Sequence, residues 1–222
     1  MKNLTLIIPA KNEKESLPSV LSELESYECK IKIILEQADI ETIESIRSFN
    51  CDLIFQDKKG YGNALIQGIN AVDTEYFCIF NADGSFNPNE LANMLNLSNV
   101  NNYDFIFASR YEKNCGSDDD TIITFLGNFI FTFIGKIIFQ LSITDILYTY
   151  VMGKSAQAKK LMLKQGDFGF CVELPIRAQR QNMKLATSKS HERKRIAGKK
   201  KVSAFKDGFK ILIFMIKLFL QK

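Results

Sequence analysis

Short apolar runs alternate with longer amphipathic stretches between residues 4 and 108, a pattern that predicts βα units around a largely parallel sheet. Strands are expected at 4–8, 31–35, 53–56, 76–80 and 105–108, with helices between them at 17–26, 40–49, 62–72 and 88–97. Pro18 and Pro88 fall near the starts of helical patterns, where a missing N–H costs least. Ligands of such sheets sit beyond the carboxyl ends of the strands. That rule gathers residues 9–13, Glu36, 57–62 and 81–85 along one edge.

Beyond Arg110 the pattern changes. Asp118-Asp-Asp-Thr121 opens an apolar run of 22 residues, 122–143, in which Lys136 is the only charge. Its length reaches that of a membrane span, but Asn128, Gln140, several threonines and two glycines favour a buried or surface-lying helix that covers the sheet edge. A second apolar segment, 209–220, makes only ~18 Å of helix, too short for a ~30 Å hydrocarbon core. Two readings stand for it. It lies in a membrane interface with Lys206, Lys210, Lys217 and Lys222 reaching headgroups, or it packs on the domain as an amphipathic helix.

Charge sharpens the first of these readings. The net +4 of the 222-residue chain is uneven: residues 189–222 hold eleven Lys and Arg against Glu192 and Asp207, which leaves the preceding part acidic. Basic tails suit nucleic acid, anionic membranes or phosphorylated substrates. The apolar run that follows serves a bilayer interface and has no use in binding nucleic acid, so no nucleic-acid partner is expected. Five scattered cysteines point to neither a disulfide framework nor a zinc site, and the N-terminal apolar run is short and broken by Pro9. The expected location is cytoplasmic, peripheral on the inner face of the cytoplasmic membrane.

The most informative stretch is Tyr76-Phe-Cys-Ile-Phe-Asn81-Ala-Asp83-Gly-Ser85, an apolar strand that delivers oxygen ligands to a sharp turn. Asn81, Asp83 and Ser85 suit a hard cation, Mg²⁺ or Mn²⁺, that bridges phosphate oxygens. The same residue types also make ordinary turns. Lys59, Gly60 and Asn63, in Lys58-Lys-Gly-Tyr-Gly-Asn63, add a cation and a glycine before a helix, a plausible approach for phosphates.

These strings together resemble a family 2 glycosyltransferase of the GT-A fold, especially the dolichyl-phosphate mannose synthase branch acting on polyprenyl phosphates. The resemblance rests on Ile7-Ile-Pro-Ala-Lys-Asn-Glu13, Lys59-Gly-Tyr-Gly-Asn-Ala64, Asn81-Ala-Asp-Gly-Ser85, Ala108-Ser-Arg-Tyr111, Thr144-Asp145 and Arg195-Ile-Ala-Gly-Lys-Lys-Lys201. It implies an α/β GT-A domain over 1–203, with a nucleotide-sugar half at 1–110 and an acceptor half at 111–203 that carries the apolar helix 122–143 and the basic loop 189–203. An amphipathic helix follows at 204–222. It further implies an inverting, metal-dependent transferase with a nucleotide-diphospho-sugar donor and a lipid-phosphate or glycan acceptor.

By the same resemblance, Pro9, Ala10, Asn12, Glu13, Glu36, Asp57, Lys59, Gly60, Asn63, Asn81, Ala82, Arg195 and Lys201 surround the nucleotide sugar, and Asp83 is the metal carboxylate. Arg110 matches an arginine that meets donor or acceptor phosphate, a role suited to a guanidinium fork. A hydroxyl acceptor also needs a carboxylate base, for which Asp145 and Glu173 are candidates, the latter more simply read as structural. Three departures qualify the match. Asn81 stands where the motif has its first acid, Glu36-Gln37 replaces an Asp-Asp pair, and Asp118-Asp-Asp stands where a second arginine is usual. The last would repel a lipid phosphate and points to a sugar hydroxyl on a glycan. Asn81 and Glu36 also motivate a rival reading, a membrane-associated scaffold that binds nucleotide sugar without turnover.

Overall fold

The computed structural model describes residues 1–198 and 203–221. Lys201 of the expected phosphate-binding loop and Lys222 of the tail lie outside the described residues. Seven strands form one sheet in the order β3-β2-β1-β4-β7-β5-β8. They are β1 (Leu4–Pro9), β2 (Lys30–Leu35), β3 (Asp52–Phe55), β4 (Tyr76–Ile79), β5 (Phe105–Ser109), β7 (Val151–Lys154) and β8 (Leu185–Lys189). All neighbours are parallel except that β7 runs antiparallel between β4 and β5. The small pair β6 (Gly116–Ser117) and β9 (His191–Glu192) lies apart from this sheet.

The apolar runs become central strands because both of their faces are covered. Leu4, Leu6 and Ile8 of β1 join Ile33, Cys78 and Ile106 in one core under α1 (Leu17–Leu24) and α4 (Leu91–Asn101). Ile7, Ile34, Phe77, Phe105 and Phe107 face the opposite core under α3 (Tyr61–Ala71) and α7 (Phe170–Arg180). Each such side chain, fully buried, contributes about 1.5–3 kcal/mol. Two short helices, α2 (Ile40–Ser45) and α6 (Ser155–Lys160), complete the connections.

The long apolar run forms α5 (Ile122–Phe139), opened by a capping box in which Thr121 and Thr124 satisfy each other's backbone N–H groups. Its length and composition would permit a membrane crossing. Yet it packs on the protein through Asn128, Phe131, Gly135 and Phe139, leaving Phe125, Phe129, Phe133 and Ile137 exposed. The last helix, α8 (Ala204–Leu220), rests on α5 and α7 through Ile211, Met215 and Leu218. Arg180 clamps its end, donating to the Leu218 and Gln221 carbonyls at 2.5 and 3.0 Å. Phe205, Phe209, Ile216 and Phe219 remain exposed. The tail therefore packs on the domain and still presents an apolar outer face.

Candidate active site

A cavity of about 670 Å³ opens at the carboxyl ends of β1, β2 and β4, the edge to which the polar loops were assigned. Pro9 and Ala10 line one end. Asn12 next to them takes a left-handed conformation, φ 52°, held by its N–H donating to Asp39 Oδ2 at 2.7 Å. Glu13 is nearly buried and accepts from the Ser16 hydroxyl at 2.7 Å. Glu36 sits between Lys11 at 2.9 Å and Lys59 at 3.0 Å. Hydrogen bonds from Lys11, then Lys59, lower its carboxyl pKa, so it enters the site as an anion.

Gly60 shapes the adjoining wall. Its φ is +125°, and a Cβ there would stand 2.3 Å from the Gly166 carbonyl oxygen, so only glycine fits before α3. Asn63 braces the same junction, donating to the Gly166 and Lys59 carbonyls at 3.0 and 2.8 Å. Three expected nucleotide contacts thus differ in kind. Gly60 lines the cavity, Asn63 holds the loop, and Lys59 acts through Glu36, while the exposed Asp57 is not among the lining residues.

Past β4 the chain turns through Asn81, Ala82 and Asp83, all on the cavity wall. Asp83 Oδ1 accepts from the Ser85 N–H at 3.0 Å, an Asx turn that fixes the carboxylate's direction. Ser85, expected as a ligand, is 1% exposed and its hydroxyl accepts from Asn81 Nδ2 at 3.1 Å. It braces the turn from behind because the sharp chain reversal points it into the core. The segment 193–196 straps this turn: Arg193 N–H donates to the Ser85 carbonyl and Ile196 N–H to the Asp83 carbonyl, both at 2.8 Å. Gly84, at φ +81°, leaves room for the Ile196 side chain, which a Cβ would meet at 2.5 Å. Arg195 is thereby brought 3.5 Å from Asp83 and 2.7 Å from Asp119.

The opposite wall is built around Arg110, which follows β5. Its Nε and Nη2 donate to Asp145 at 2.8 and 3.0 Å, and its Nη1 donates to Glu192 at 2.9 Å. Asp120 lies 3.8 Å away, and the guanidinium stacks 4.5 Å from the centre of the Tyr148 ring. Burial opposes this charge, but Asp145 and Glu192 more than compensate and raise its pKa above the ordinary guanidinium value. Asp145 itself is fully shielded from solvent and also accepts from Asn128 Nδ2 at 2.5 Å. It is not among the lining residues. Expected as a base, it orients Arg110 from behind. Arg110 in turn is spent on carboxylates, contrary to its expected phosphate contact. Glu173 is a structural carboxylate, accepting from the Lys164 and Gln165 N–H groups and from Arg177. His191 pairs at the surface with Asp118 at 3.1 Å.

Several wall residues escaped the sequence reading. Glu192 enters through the β6–β9 pair, too short to leave a pattern. Tyr61, Leu147, Phe168, Cys171 and Ile211 extend the cavity as an apolar lobe toward α8. Asp119 and Asp120 were visible as an acidic run before the helix, and that run turns out to face the cavity.

The sequence matches the family described as Glycosyl transferase family 2 over residues 5–161. The chain belongs to glycosyl transferase family 2. Two curated relatives, uncharacterized glycosyltransferases of Mycobacterium bovis and Mycobacterium tuberculosis, are 26% identical over 92 residues, 41% of this chain and 42% of each relative. The match therefore spans less than half the length of these relatives. Among solved structures, glucosyl-3-phosphoglycerate synthase of Mycobacterium tuberculosis superposes with a TM-score of 0.74 at 11% identity, over 97% of this chain and 79% of that one. That crystal holds Mn²⁺, uridine diphosphate and glucosyl-3-phosphoglycerate. A second crystal of the same synthase, with Mn²⁺ and uridine-diphosphate-glucose, gives 0.74 at 12% identity over 98% and 79%. These likenesses establish the GT-A fold for this family 2 chain, with its mostly parallel central sheet flanked by helices.

Proposed function

We propose that the protein is an inverting glycosyltransferase that uses a nucleoside-diphosphate sugar and Mg²⁺ or Mn²⁺. The observation that carries this reading is the convergence of Asp83, Arg195 and the loop 9–13 on one cavity at the strand ends of a family 2 chain. No group of three or more His, Cys, Asp or Glu forms a closed metal cage among the described residues. The donor set nevertheless fits a hard cation that takes most of its ligands from diphosphate and water: the Asp83 carboxylate faces the cavity with Asn81 beside it. When bound, such a cation stabilises negative charge on the departing diphosphate.

The protein's own residues supply the rest. The loop 9–13 and Glu36 hold base and ribose. Arg195, poised at Asp83, moves onto the diphosphate as its charge develops, where a preorganised cation counts most. The apolar outer faces of α5 and α8, fringed by Lys136, Lys206, Lys210 and Lys217, support a location on an anionic membrane surface. Asn128 and Ile211, on the inner faces of the same helices, line the cavity, so docking of the outer faces would hold the site close to a lipid-linked acceptor.

The test is Mn²⁺-dependent hydrolysis or transfer of nucleotide sugars by the wild type and by Asp83→Ala. The expected result is loss of turnover in a variant with unchanged circular dichroism and unfolding temperature. Undiminished turnover in Asp83→Ala would remove the metal assignment.

A further inference from the structure

Asp83, the carboxylate assigned to the metal, already has a cation of the chain beside it. Its Oδ1 accepts from the Ser85 N–H at 3.0 Å, and its Oδ2 lies 3.5 Å from Arg195 Nη1. Asp119 anchors the same guanidinium, accepting from Nε and Nη2 at 3.2 and 2.7 Å. The three side chains are largely shielded from solvent, 20% exposed for Arg195, 15% for Asp83 and 13% for Asp119. Charges so placed act on one another more strongly than they would in open water.

The backbone fixes this arrangement. Arg193 N–H donates to the Ser85 carbonyl and Ile196 N–H to the Asp83 carbonyl, which sets residues 193–196 in register with the turn. Arg193 adds a second anchor, since its Nη1 and Nη2 hold Glu23 at 2.7 and 2.9 Å and its Nη2 also reaches the Phe86 carbonyl at 2.6 Å. The chain is thus held on either side of residue 195. What is left to move is the Arg195 side chain, which lines the cavity together with Asp83.

We propose that Arg195 is a built-in competitor for the metal site, holding Asp83 until a diphosphate draws the guanidinium away. This rests on the nucleotide-sugar reading above and adds the regulation of that site. A divalent cation that reaches Asp83 alone has to displace Nη1 and then face its positive charge. A nucleoside diphosphate relieves both costs, because its oxygens accept from a guanidinium fork and also ligate the metal. Metal and nucleotide are therefore taken up together, each raising the affinity for the other by the same factor. When the diphosphate leaves, Arg195 returns to Asp83, and Asp119 keeps it close at hand for that return.

The test is titration of the full chain with Mn²⁺ at about 0.15 M salt, where exposed charges are screened beyond ~8 Å. Free Mn²⁺ is followed by its electron paramagnetic resonance signal, first without nucleotide and then with whichever of UDP, GDP, CDP or dTDP binds. Without nucleotide, Arg195→Gln and Arg195→Met are expected to bind Mn²⁺ at least about fivefold tighter than the wild type, a change within the usual range of coupling between sites. Adding Asp83→Asn to either variant should abolish the gain. Lys194→Gln, which removes an exposed charge from the same segment, should change the affinity less than about twofold. With nucleotide bound, the wild type and Arg195→Gln should take up Mn²⁺ with affinities within about twofold of each other, since the competition is then already relieved. Equal Mn²⁺ affinity of the wild type and both Arg195 variants without nucleotide, or a gain that persists undiminished with nucleotide, overturns the proposal and leaves the metal site standing. Failure of all these proteins to bind Mn²⁺ with any nucleotide sinks the donor reading, and this inference with it.

Discussion

Replacing Asp145 with alanine should destabilise the protein by about 3–5 kcal/mol, the range for a buried ion pair that loses one partner. Asp145 accepts from the Arg110 backbone N–H at 3.1 Å, from Nε and Nη2, and from Asn128. Alanine would orphan all four donors and leave a buried guanidinium. Glu192 remains on Nη1 and Tyr148 on the guanidinium face, so the lower end of the range is expected. In a domain of this size each kcal/mol moves the unfolding midpoint by about 2–4 °C, which makes the expected fall at least about 6 °C. The assays are urea unfolding for the free energy and thermal unfolding for the midpoint, both followed by circular dichroism and tyrosine emission, since the chain has seven tyrosines and no tryptophan. Asp118→Ala is the control: it loses an exposed contact with His191 and should cost less than about 0.5 kcal/mol. The double variant Arg110→Met/Asp145→Leu should recover only part of the loss, because it removes the buried guanidinium but leaves Glu192 without its cation. A loss below about 1 kcal/mol for Asp145→Ala would refute the reading of Asp145 as the support of Arg110.

Gly60→Ala should cost at least about 1–3 kcal/mol from backbone strain, because the position has φ +125° and an added Cβ would meet the Gly166 carbonyl; unfolding in urea measures it, and an unchanged midpoint would contradict the loop geometry. Cys171 should resist alkylation although it lines the cavity. Burial pushes its pKa up to about 12, so the reactive thiolate is scarce at neutral pH and grows as pH rises. Peptide mapping after iodoacetamide at pH 7.5 and pH 10 checks this, and rapid labelling at the lower pH would contradict it. Phe133→Glu and Phe209→Glu, on the exposed faces of α5 and α8, should each weaken flotation with anionic vesicles at least about tenfold; unaltered flotation would remove the membrane reading.

The strands legible in the sequence are β1 to β5: β1, β4 and β5 leave buried apolar runs, β2 is buried in its second half, and even the largely exposed edge strand β3 keeps Leu53-Ile-Phe55. β7 hides in Val151-Met-Gly-Lys154, too short and glycine-broken to read, and β8 in the half-polar Leu185-Ala-Thr-Ser-Lys189. The helix α7 was missed because Pro175 and its charges blur the period, although its buried face runs from Phe170 to Ala178. At the site, local strings picked out residues that a turn brings to the cavity wall: Pro9, Asn12, Gly60, Asn81 and Asp83. Residues whose role depends on distant partners were misjudged. Asp145 reads as a base until Arg110 is seen covering it, Ser85 as a ligand until the turn points it inward, and Glu192 has no local signature at all. The acidic run at Asp118 was legible in the sequence, and its Asp119 and Asp120 line the cavity.

The central claim is that Asp83 serves a metal-dependent nucleotide-sugar site, and thermal unfolding with UDP, GDP, CDP or dTDP, each with and without Mn²⁺, tests it most directly. A ligand at about 100 times its Kd adds about 2.7 kcal/mol to the folded state, which at about 2–4 °C per kcal/mol is about 5–11 °C. The account predicts a rise of that size with one nucleotide, only in the presence of Mn²⁺, and its loss in Asp83→Ala. No rise with any nucleotide in folded protein, or the same rise without Mn²⁺ and in Asp83→Ala, would contradict it.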